Sequence, residues 1–309
     1  MKKMDADGLF KGKKTKNIIP WYSPPIQRQR WDDDANTMLP IINYGTLFFD
    51  LFFVAAMYNL GELVLSAVNQ PHQAVRVIIY FIGIFGPMFV TWETDVYYQS
   101  RYCVADYAHR LFEVLRFVCI TAAVLFIRPM NELSNPQDHV APFILTLAIC
   151  LESFMHLLLN VELYYKAQGD RNAIQNHSLR KLQKQLIPTT LTYFVSAVTA
   201  AVFYFLPNNN DLYTVGNTGH WNVTDLPLTV MAGGYLSNIA FTIWRKLRAT
   251  TGTVDIRQTY VPNNIDFLIG RYADWFLLLL GEVVRSLFRE KIYEKSAIYL
   301  NEKDTSLIS

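Results

Sequence analysis

The sequence predicts an all-α membrane protein, a polytopic bundle of about seven transmembrane helices with a cytosolic N-terminus. Only 17% of the 309 residues are charged and 51% are hydrophobic, whereas about a quarter of the residues of a typical soluble protein are charged. The apolar residues form blocks of roughly 17–25 residues without the polar face of an amphipathic helix, and a helix needs this length to cross a bilayer. Polar segments that contain Pro and Asn separate the blocks.

Seven apolar windows follow one another along the chain. A backbone in lipid must satisfy its own hydrogen bonds, and a helix does so within one segment, so each window is predicted to be a helix. The windows are about Leu47–Ala67, Val75–Val96, Leu111–Ile127, Pro142–Tyr164, Leu186–Leu206, Leu228–Trp244 and Phe267–Phe288. They define a transmembrane helical domain at 41–290, between a polar and basic tail at 1–40 and a polar C-terminal tail at 291–309.

Lysine and arginine are concentrated in alternate connections, which predicts the orientation of the chain. The tail before the first window and the loops after the fourth and sixth windows are rich in them, whereas the loop between 206 and 228 has none. The basic side is therefore predicted to be cytosolic, in an integral multi-pass protein of the plasma membrane or an endomembrane. The sequon Asn222-Val-Thr224 falls on the opposite side, which favours glycosylation of Asn222. The basic tail after the seventh window breaks the alternation, so we expect either that this window does not cross fully or that later helices are missing from this chain.

The chain also carries three short motifs in order. The first is Leu47-Phe-Phe-Asp-Leu-Phe-Phe-Val54, the second is Trp92, Tyr97, Arg101 and Asp106 with Arg110 after them, and the third is the Leu-Gly-Glu segment within Gly270–Val284. These motifs resemble those of the low temperature requirement A family of membrane proteins. Thr46 and Gly270 stand where that family carries Glu. The resemblance implies a multi-pass membrane protein and specifies no reaction.

Ionisable residues at membrane depth are the candidates for function, because a charge inside the bilayer costs a few kcal/mol or more. Asp50 lies near the predicted start of the first helix, where the helix dipole favours a carboxylate. Glu62 lies about 18 Å further along that helix. Glu282 has a similar depth in the seventh window, and both glutamates follow Leu-Gly. The shared Leu-Gly-Glu indicates either a parallel internal repeat or a chance similarity between leucine-rich helices.

Glu152 and His156 are four residues apart in the fourth window, on one face of the predicted helix. Such a pair could relay protons, line a pore, supply two ligands to a metal, or be a satisfied buried pair. One pair does not make a metal site, so neither a metal nor a cofactor is predicted. The candidate ion-binding, proton-binding or pore-lining residues are therefore Glu62, Glu282, Glu152, His156 and Asp50.

Further charged and aromatic residues are predicted to form either a structural ion-pair network or a charged vestibule. Three pairs of opposite charge have i,i+3 spacing, which allows an ion pair within one helix: Glu113 with Arg116, Arg271 with Asp274, and Glu282 with Arg285. The complete set is Trp92, Glu93, Asp95, Arg101, Asp106, Arg110, Glu113, Arg116, Arg271, Asp274 and Arg285.

Several classes of protein are excluded by the motifs. The seventh window lacks the lysine of a retinal protein, and the third window lacks a receptor-type Asp-Arg-Tyr motif. No nucleotide-binding, hydrolase or metalloprotease motif is present, so no enzymatic activity and no catalytic residue are expected. The basic residues follow the topology, so nucleic acid is not an expected partner. The expected partners are the lipid bilayer and an ion or small solute, and the oligomeric state stays open.

Three functions remain from the sequence. The first is a transporter or channel-like protein for an ion, a proton or a small solute, which the acids at membrane depth favour. The second is a non-transporting scaffold, sensor or assembly factor, in which those acids hold helices together. The third is an intramembrane enzyme that acts on lipid with Glu152 and His156 as acid and base, although no nucleophile accompanies them.

Overall fold

A computed structural model of the protein describes residues 19–29, 44–69, 74–128, 140–205, 225–249 and 260–281. Seven helices run through these ranges: α1 Tyr44–Asn69, α2 Ala74–Arg101, α3 Tyr107–Leu125, α4 Val140–Lys166, α5 Arg171–Phe205, α6 Leu226–Ala249, and α7, which is described over 265–281. The strands of the described part are short: β1 (Ile26–Gln27) pairs antiparallel with β2 (Tyr102–Cys103). The predicted all-α class is confirmed.

Six of the helices form a closed ring in which each packs against two neighbours. The order around the ring is α1, α2, α6, α5, α4, α3 and back to α1. The side chains of α7 join the same hydrophobic core, which includes the fully buried Tyr80, Ile84 and Leu145. Because the apolar windows are apolar all round, they fill this core and also leave many leucines, valines and phenylalanines exposed on the outer surface, as a bilayer-facing bundle requires.

Four helices of the described part are long enough and apolar enough to cross a membrane. They are α2, α4, α5 and the Leu226–Trp244 part of α6. Over the described residues, each of the seven predicted windows coincides with a helix, but α3 carries Arg110, Glu113 and Arg116, and its composition is more polar. The structure thus supports a membrane protein, while the seven-span count and the cytosolic N-terminus stay predictions.

Helices α2 and α6 approach closely because glycines remove side chains from their contact. A Cβ added to Gly83 would lie 2.6 Å from the backbone oxygen of Leu228, and one added to Gly86 would lie 2.3 Å from the ring of Tyr235. At Gly83 the neighbour is backbone, so no side chain larger than hydrogen fits there. Small residues at helix contacts are typical of membrane bundles, where packing rather than hydrophobicity drives association.

The fifth helix is longer than its apolar window predicts. It begins at Arg171 rather than near Leu186, and its polar first half covers the end of the bundle where α2 and α4 end. A π turn at Leu182–Leu186 joins this half to the apolar half at Ile187. The wider turn precedes Pro188, which has no N–H to donate to the preceding turn. Hydropathy alone detects only the apolar half.

Residues 19–29, the amino-terminal strap, lie across the end of the bundle where Arg101 is found, which we call the basic end. Within the strap, β1 pairs with β2, and the amide of Gln27 donates to the backbone oxygen of Gln168 at 2.9 Å. Gly169 has a φ of 139°, and a Cβ there would meet the Gln27 side chain, so glycine is required at this contact. The described part of the predicted basic tail is thus packed on the helices.

Candidate functional site: buried charge clusters and a polar cavity

Asp50 is the centre of a buried cluster that joins α1, α2 and α7. The guanidinium of Arg271 donates to both carboxylate oxygens of Asp50, at 2.6 and 2.8 Å, and the indole N–H of Trp92 donates at 2.8 Å. Asp50 is 0% exposed and Arg271 is 1% exposed. A bidentate arginine–carboxylate pair is among the stronger hydrogen-bonded arrangements in proteins, so this cluster fixes α7 against the first two helices.

Arg116 is the centre of a second buried cluster, which joins α2, α3 and α4. Its guanidinium donates to Asp95 at 2.5 Å, to Glu152 at 2.8 Å and to Nε2 of His156 at 2.9 Å. A histidine nitrogen that accepts from arginine carries no proton, so His156 is assigned as neutral with its proton on Nδ1. Glu152 and His156 lie on one face of α4, as predicted, and the guanidinium of Arg116 lies between them and Asp95.

Two of the three ion pairs predicted from i,i+3 spacing, Glu113 with Arg116 and Arg271 with Asp274, are replaced by other pairs, and the third lies outside the described residues. Arg116 pairs with Asp95 and Glu152, while Glu113 accepts from Arg110 at 2.7 Å on the outer surface. Arg271 likewise pairs with Asp50, more than two hundred residues away in the chain. Spacing along one helix shows only local neighbours, whereas a buried guanidinium has five N–H groups to satisfy and takes partners from every adjacent helix.

A third cluster, at the opposite end of the bundle, was not predicted. Arg76 and Tyr80 of α2 both donate to Asp225, just before α6, and all three are buried. The available signal was Arg76 itself, a lone arginine beside the start of an apolar window. A long-range partner for it cannot be read from the sequence, because Asp225 is 149 residues away.

The other predicted site residues do not converge on one space. Glu62 is exposed on the outer face of α1, although the adjacent Leu63 is fully buried. Asp50 is enclosed in its own cluster, and Asp274 is half-buried on α7. Glu282, Arg285 and the sequon at Asn222 lie outside the described residues.

At the basic end, Asp106 holds the strap to the start of α3. It accepts the backbone N–H of His109 at 2.8 Å and both the N–H and the hydroxyl of Ser23, at 3.0 and 2.9 Å. The His109 ring lies between Asp106 and Glu162, 3.0 Å from the latter, and the hydroxyl of Tyr22 donates to Glu162 at 2.8 Å. The N-cap role of Asp106 explains why this carboxylate precedes a helix.

The pKa values of this cluster follow from its contacts. Burial lowers the pKa of His109, but its hydrogen bonds with Glu162 and Asp106 outweigh burial, and the pKa is raised above 6.5. Burial raises the pKa of Asp106, yet the hydrogen bonds from His109 and Ser23 dominate and lower it. Burial and the bond to Glu162 raise the pKa of Tyr22 to about 12. A positively charged His109 between two carboxylates therefore stabilises the docked strap.

A cavity of about 430 Å³, partly open to the outside, lies at the basic end. Residues of α2, α4, α5 and α6 line it, together with Tyr260 and Asn263 of the segment before α7. These four helices are the same four that are long and apolar enough to cross a membrane. Along α2 the lining extends from Arg101 to Phe89, a depth of about 18 Å at 1.5 Å per residue.

The lining of this cavity is polar and carries charge. Its cationic side chains are Arg101, Arg180 and Lys181, and its carboxylate among the described residues is Glu93. His156 also lines it, so the second cluster forms part of its wall. Hydroxyl and amide groups fill much of the remaining wall: Thr91, Thr94, Ser153, Thr189, Tyr193, Tyr235, Asn238, Thr242, Gln185 and Asn263.

Of the residues predicted to bind or conduct a solute, His156 alone among those described lines the cavity. Of the predicted network, Glu93 and Arg101 line it, whereas Asp95 and Arg116 lie behind its wall. Sequence reasoning missed His177, Arg180 and Lys181, because they appeared as part of a polar loop. Arg180 and Lys181 follow His177 by three and four residues, so a continuous helix would have placed all three on one face.

Within the described residues, no group of three or more His, Cys, Asp or Glu side chains could hold a metal ion. Comparison with protein-family models, with curated proteins and with solved structures found no match. The similarity to the low temperature requirement A family therefore rests on the motifs alone.

Proposed function

We propose that the chain is a multi-pass membrane transporter or channel-like protein whose solute occupies the cavity at the basic end. The observation that carries the proposal is a charged cavity lined by the four helices that can cross a membrane. Its volume of about 430 Å³ falls within the range of ligand pockets. Ionisable groups inside an apolar bundle are costly, and they commonly mark a solute or ion route.

The proposal includes the finer topology and family predicted from the sequence. Seven spans with the N-terminus in the cytosol would place the basic end, the strap and the cavity on the cytosolic side. Membership of the low temperature requirement A family and glycosylation at Asn222 agree with this topology and belong to the same proposal. A glycosidase-induced shift in gel mobility, lost in Asn222→Gln, is the expected evidence for the orientation.

The location of the charged clusters supports the same site. The clusters around Asp50 and Arg116 hold α1, α2, α3, α4 and α7 together around the half of the bundle that contains the cavity. They leave the polar groups on α5 and α6 to face the cavity. The buried acids thus serve to hold the site, and His156 is the described residue that belongs both to a cluster and to the cavity wall.

Flux through proteoliposomes tests the proposal. Asn238 of α6 lines the cavity, whereas Leu236, two residues earlier, is exposed on the outer surface. With a panel of inorganic ions, carboxylates, amino acids and sugars, wild type and Leu236→Trp are expected to carry at least one solute above empty liposomes. Asn238→Trp introduces the same tryptophan side chain inside the cavity, and it is expected to reduce that flux at least about tenfold. Equal flux in the two variants would refute the cavity as the route.

The second candidate is a non-transporting scaffold, sensor or assembly factor. It is favoured by one observation: Asp50 and Glu152, two of the predicted functional acids, are held in ion pairs between helices. If no member of the panel crosses above background, and crosslinking in native membranes recovers one dominant partner protein, this candidate replaces the transporter.

A further inference from the structure

The charge of the cavity identifies the kind of solute that it fits. Three cationic side chains, Arg101, Arg180 and Lys181, line it against the carboxylate of Glu93. The ion pairs among the described residues involve the arginines Arg76, Arg110, Arg116 and Arg271, and none involves the three cavity cations. The described lining therefore has three basic side chains and one carboxylate, and none of the three basic side chains forms an ion pair with a described residue.

The contacts of Arg101 hold it in place without neutralising it. One terminal nitrogen donates to Nε2 of His177 at 2.7 Å, and the guanidinium carbon lies 5.4 Å from the centre of the Tyr97 ring. An imidazole nitrogen that accepts from arginine is unprotonated, so His177 adds no charge and takes none away. The Nε of Arg101 is buried and has no hydrogen-bond partner among the described residues. The guanidinium of Arg101 therefore has an N–H group free to donate to an acceptor atom of a bound ligand.

Two elements bring the cations together. Arg101 is the last residue of α2, and Arg180 with Lys181 lies on α5 immediately before the π turn at Leu182–Leu186. The turn also supplies Gln185 and Leu186 to the lining. Single π turns occur often at functional sites, because they redirect side chains that a regular helix would point elsewhere.

A second observation at the deep end of the cavity points to a ligand. Tyr193 lines the cavity and is 2% exposed, and its hydroxyl has no hydrogen-bond partner among the described residues. It lies twelve residues beyond Lys181 on α5, about 18 Å away along the helix. A buried hydroxyl without a partner is costly, so this end of the cavity also has room for a polar partner, separate from an anion held at Lys181.

We infer that the cavity binds a small organic anion, with its carboxylate or phosphate group at Arg101, Arg180 and Lys181. Guanidinium groups match the planar, two-oxygen geometry of carboxylates and phosphates, and lysine adds a point charge. The inference rests on the proposed function, in which the cavity holds a solute. The same chemistry is present in soluble anions and in the headgroups of anionic lipids.

Citrate is a suitable soluble probe, measured by calorimetry with the full chain in nanodiscs of neutral phosphatidylcholine. Saturable binding of citrate is expected, without competition from glucose or tetramethylammonium. In Arg180→Gln/Lys181→Gln, the dissociation constant is expected to rise at least about tenfold, as the loss of charge-assisted hydrogen bonds implies. The matched control is Lys184→Gln, which removes an exposed lysine of the same helix outside the lining and should change the constant less than twofold.

An unchanged circular dichroism spectrum in the double variant guards against a folding defect. Repeating the titration in nanodiscs that contain phosphatidic acid distinguishes a soluble anion from the headgroup of an anionic lipid as the ligand. If the anionic lipid abolishes citrate binding in wild type, a lipid headgroup is the occupant; if the affinity is retained, the ligand is soluble.

The inference is overturned if citrate fails to bind saturably in neutral nanodiscs, or if the double variant and Lys184→Gln behave alike. These outcomes are separable from failure of the transport proposal. Citrate binding without flux of any anion in proteoliposomes would retain the anion site and reject transport. Flux of a cation or a sugar without citrate binding would retain transport and reject the anion site.

Discussion

The buried pair between Asp50 and Arg271 leads to the sharpest prediction about stability. Asp50→Ala removes all three hydrogen bonds that the carboxylate accepts, and it leaves the guanidinium of Arg271, which is 1% exposed, without its carboxylate partner. Breaking a buried ion pair from one side typically costs about 3–5 kcal/mol. We expect the free energy of unfolding to fall by that amount.

Glu62→Ala is the matched control, because it removes an exposed carboxylate from the same helix. Exposed substitutions usually change stability by less than about 0.5 kcal/mol. The assay is equilibrium unfolding in mixed micelles with increasing SDS, followed by tryptophan fluorescence, to which Trp92 in the cluster contributes.

A double-mutant cycle tests the physical cause. Arg271→Met alone leaves the carboxylate unpaired, so it should cost about as much as Asp50→Ala. The double variant Asp50→Ala/Arg271→Met removes both charges, and it should cost less than the sum of the single changes by at least about 1 kcal/mol. If Asp50→Ala destabilises no more than Glu62→Ala, or if the single effects add, the pair does not hold α1 and α7 together as described.

Two further predictions concern other parts of the bundle. Gly83→Ala places a Cβ 2.6 Å from the oxygen of Leu228, so we expect a loss of about 1–3 kcal/mol in the same unfolding assay as α2 and α6 move apart. Docking of the strap should weaken at alkaline pH, because the pKa of His109 is raised in the docked state. Protonated His109 stabilises the docked state fully below about pH 6.5. This stabilisation is lost as the pH rises through the raised pKa. Hydrogen exchange at the Ser23 amide, corrected for its intrinsic rate, reports that weakening.

Each of these predictions has its own control. A Cβ added to Gly233 of α6 meets nothing within 4 Å, so Gly233→Ala should be neutral or slightly stabilising; equal losses in the two alanine variants would contradict close packing at Gly83. His109→Gln should abolish the alkaline change at Ser23. The pKa of Asp106 is lowered, so its effect on docking has the opposite pH dependence. Ionised Asp106 stabilises the docked strap above about pH 3.9, and this stabilisation is lost as the pH falls through the lowered pKa. Exchange that stays constant from pH 6 to 9 in wild type would show that His109 does not hold the strap.

The seven helices could be located from the sequence because the formation of a membrane helix depends on residues that are consecutive in the chain. A block such as Val75–Val96 has no polar face, and its length is that of a bilayer crossing, so the helix follows without knowledge of its neighbours. The exception is informative. The first half of α5 is a helix with a polar sequence, and it lies on the bundle through Ala173 and Ile174, which are buried. Hydropathy carries no signal for such a segment.

The candidate site was only partly predictable. Asp50, Arg271 and Glu152 were correctly singled out as charges that need an explanation, but their partners lie on other helices, and i,i+3 spacing suggested neighbours instead. Depth along a helix made Glu62 a candidate, although depth does not determine which face of the helix a side chain occupies. A rotation of about 100° per residue separates the exposed Glu62 from the buried Leu63.

The sequence by itself determined that this is an α-helical protein built for a membrane, with too many charges at membrane depth for all of them to face lipid. Only the tertiary structure decided which charges pair, which face outward, and that Arg101, Arg180 and Lys181 line a common cavity. The physical reason is that the propensity to form a membrane helix sums over consecutive residues. The partner and the orientation of a buried charge instead depend on the nearest atoms in space, and those atoms come from segments that are distant in the chain.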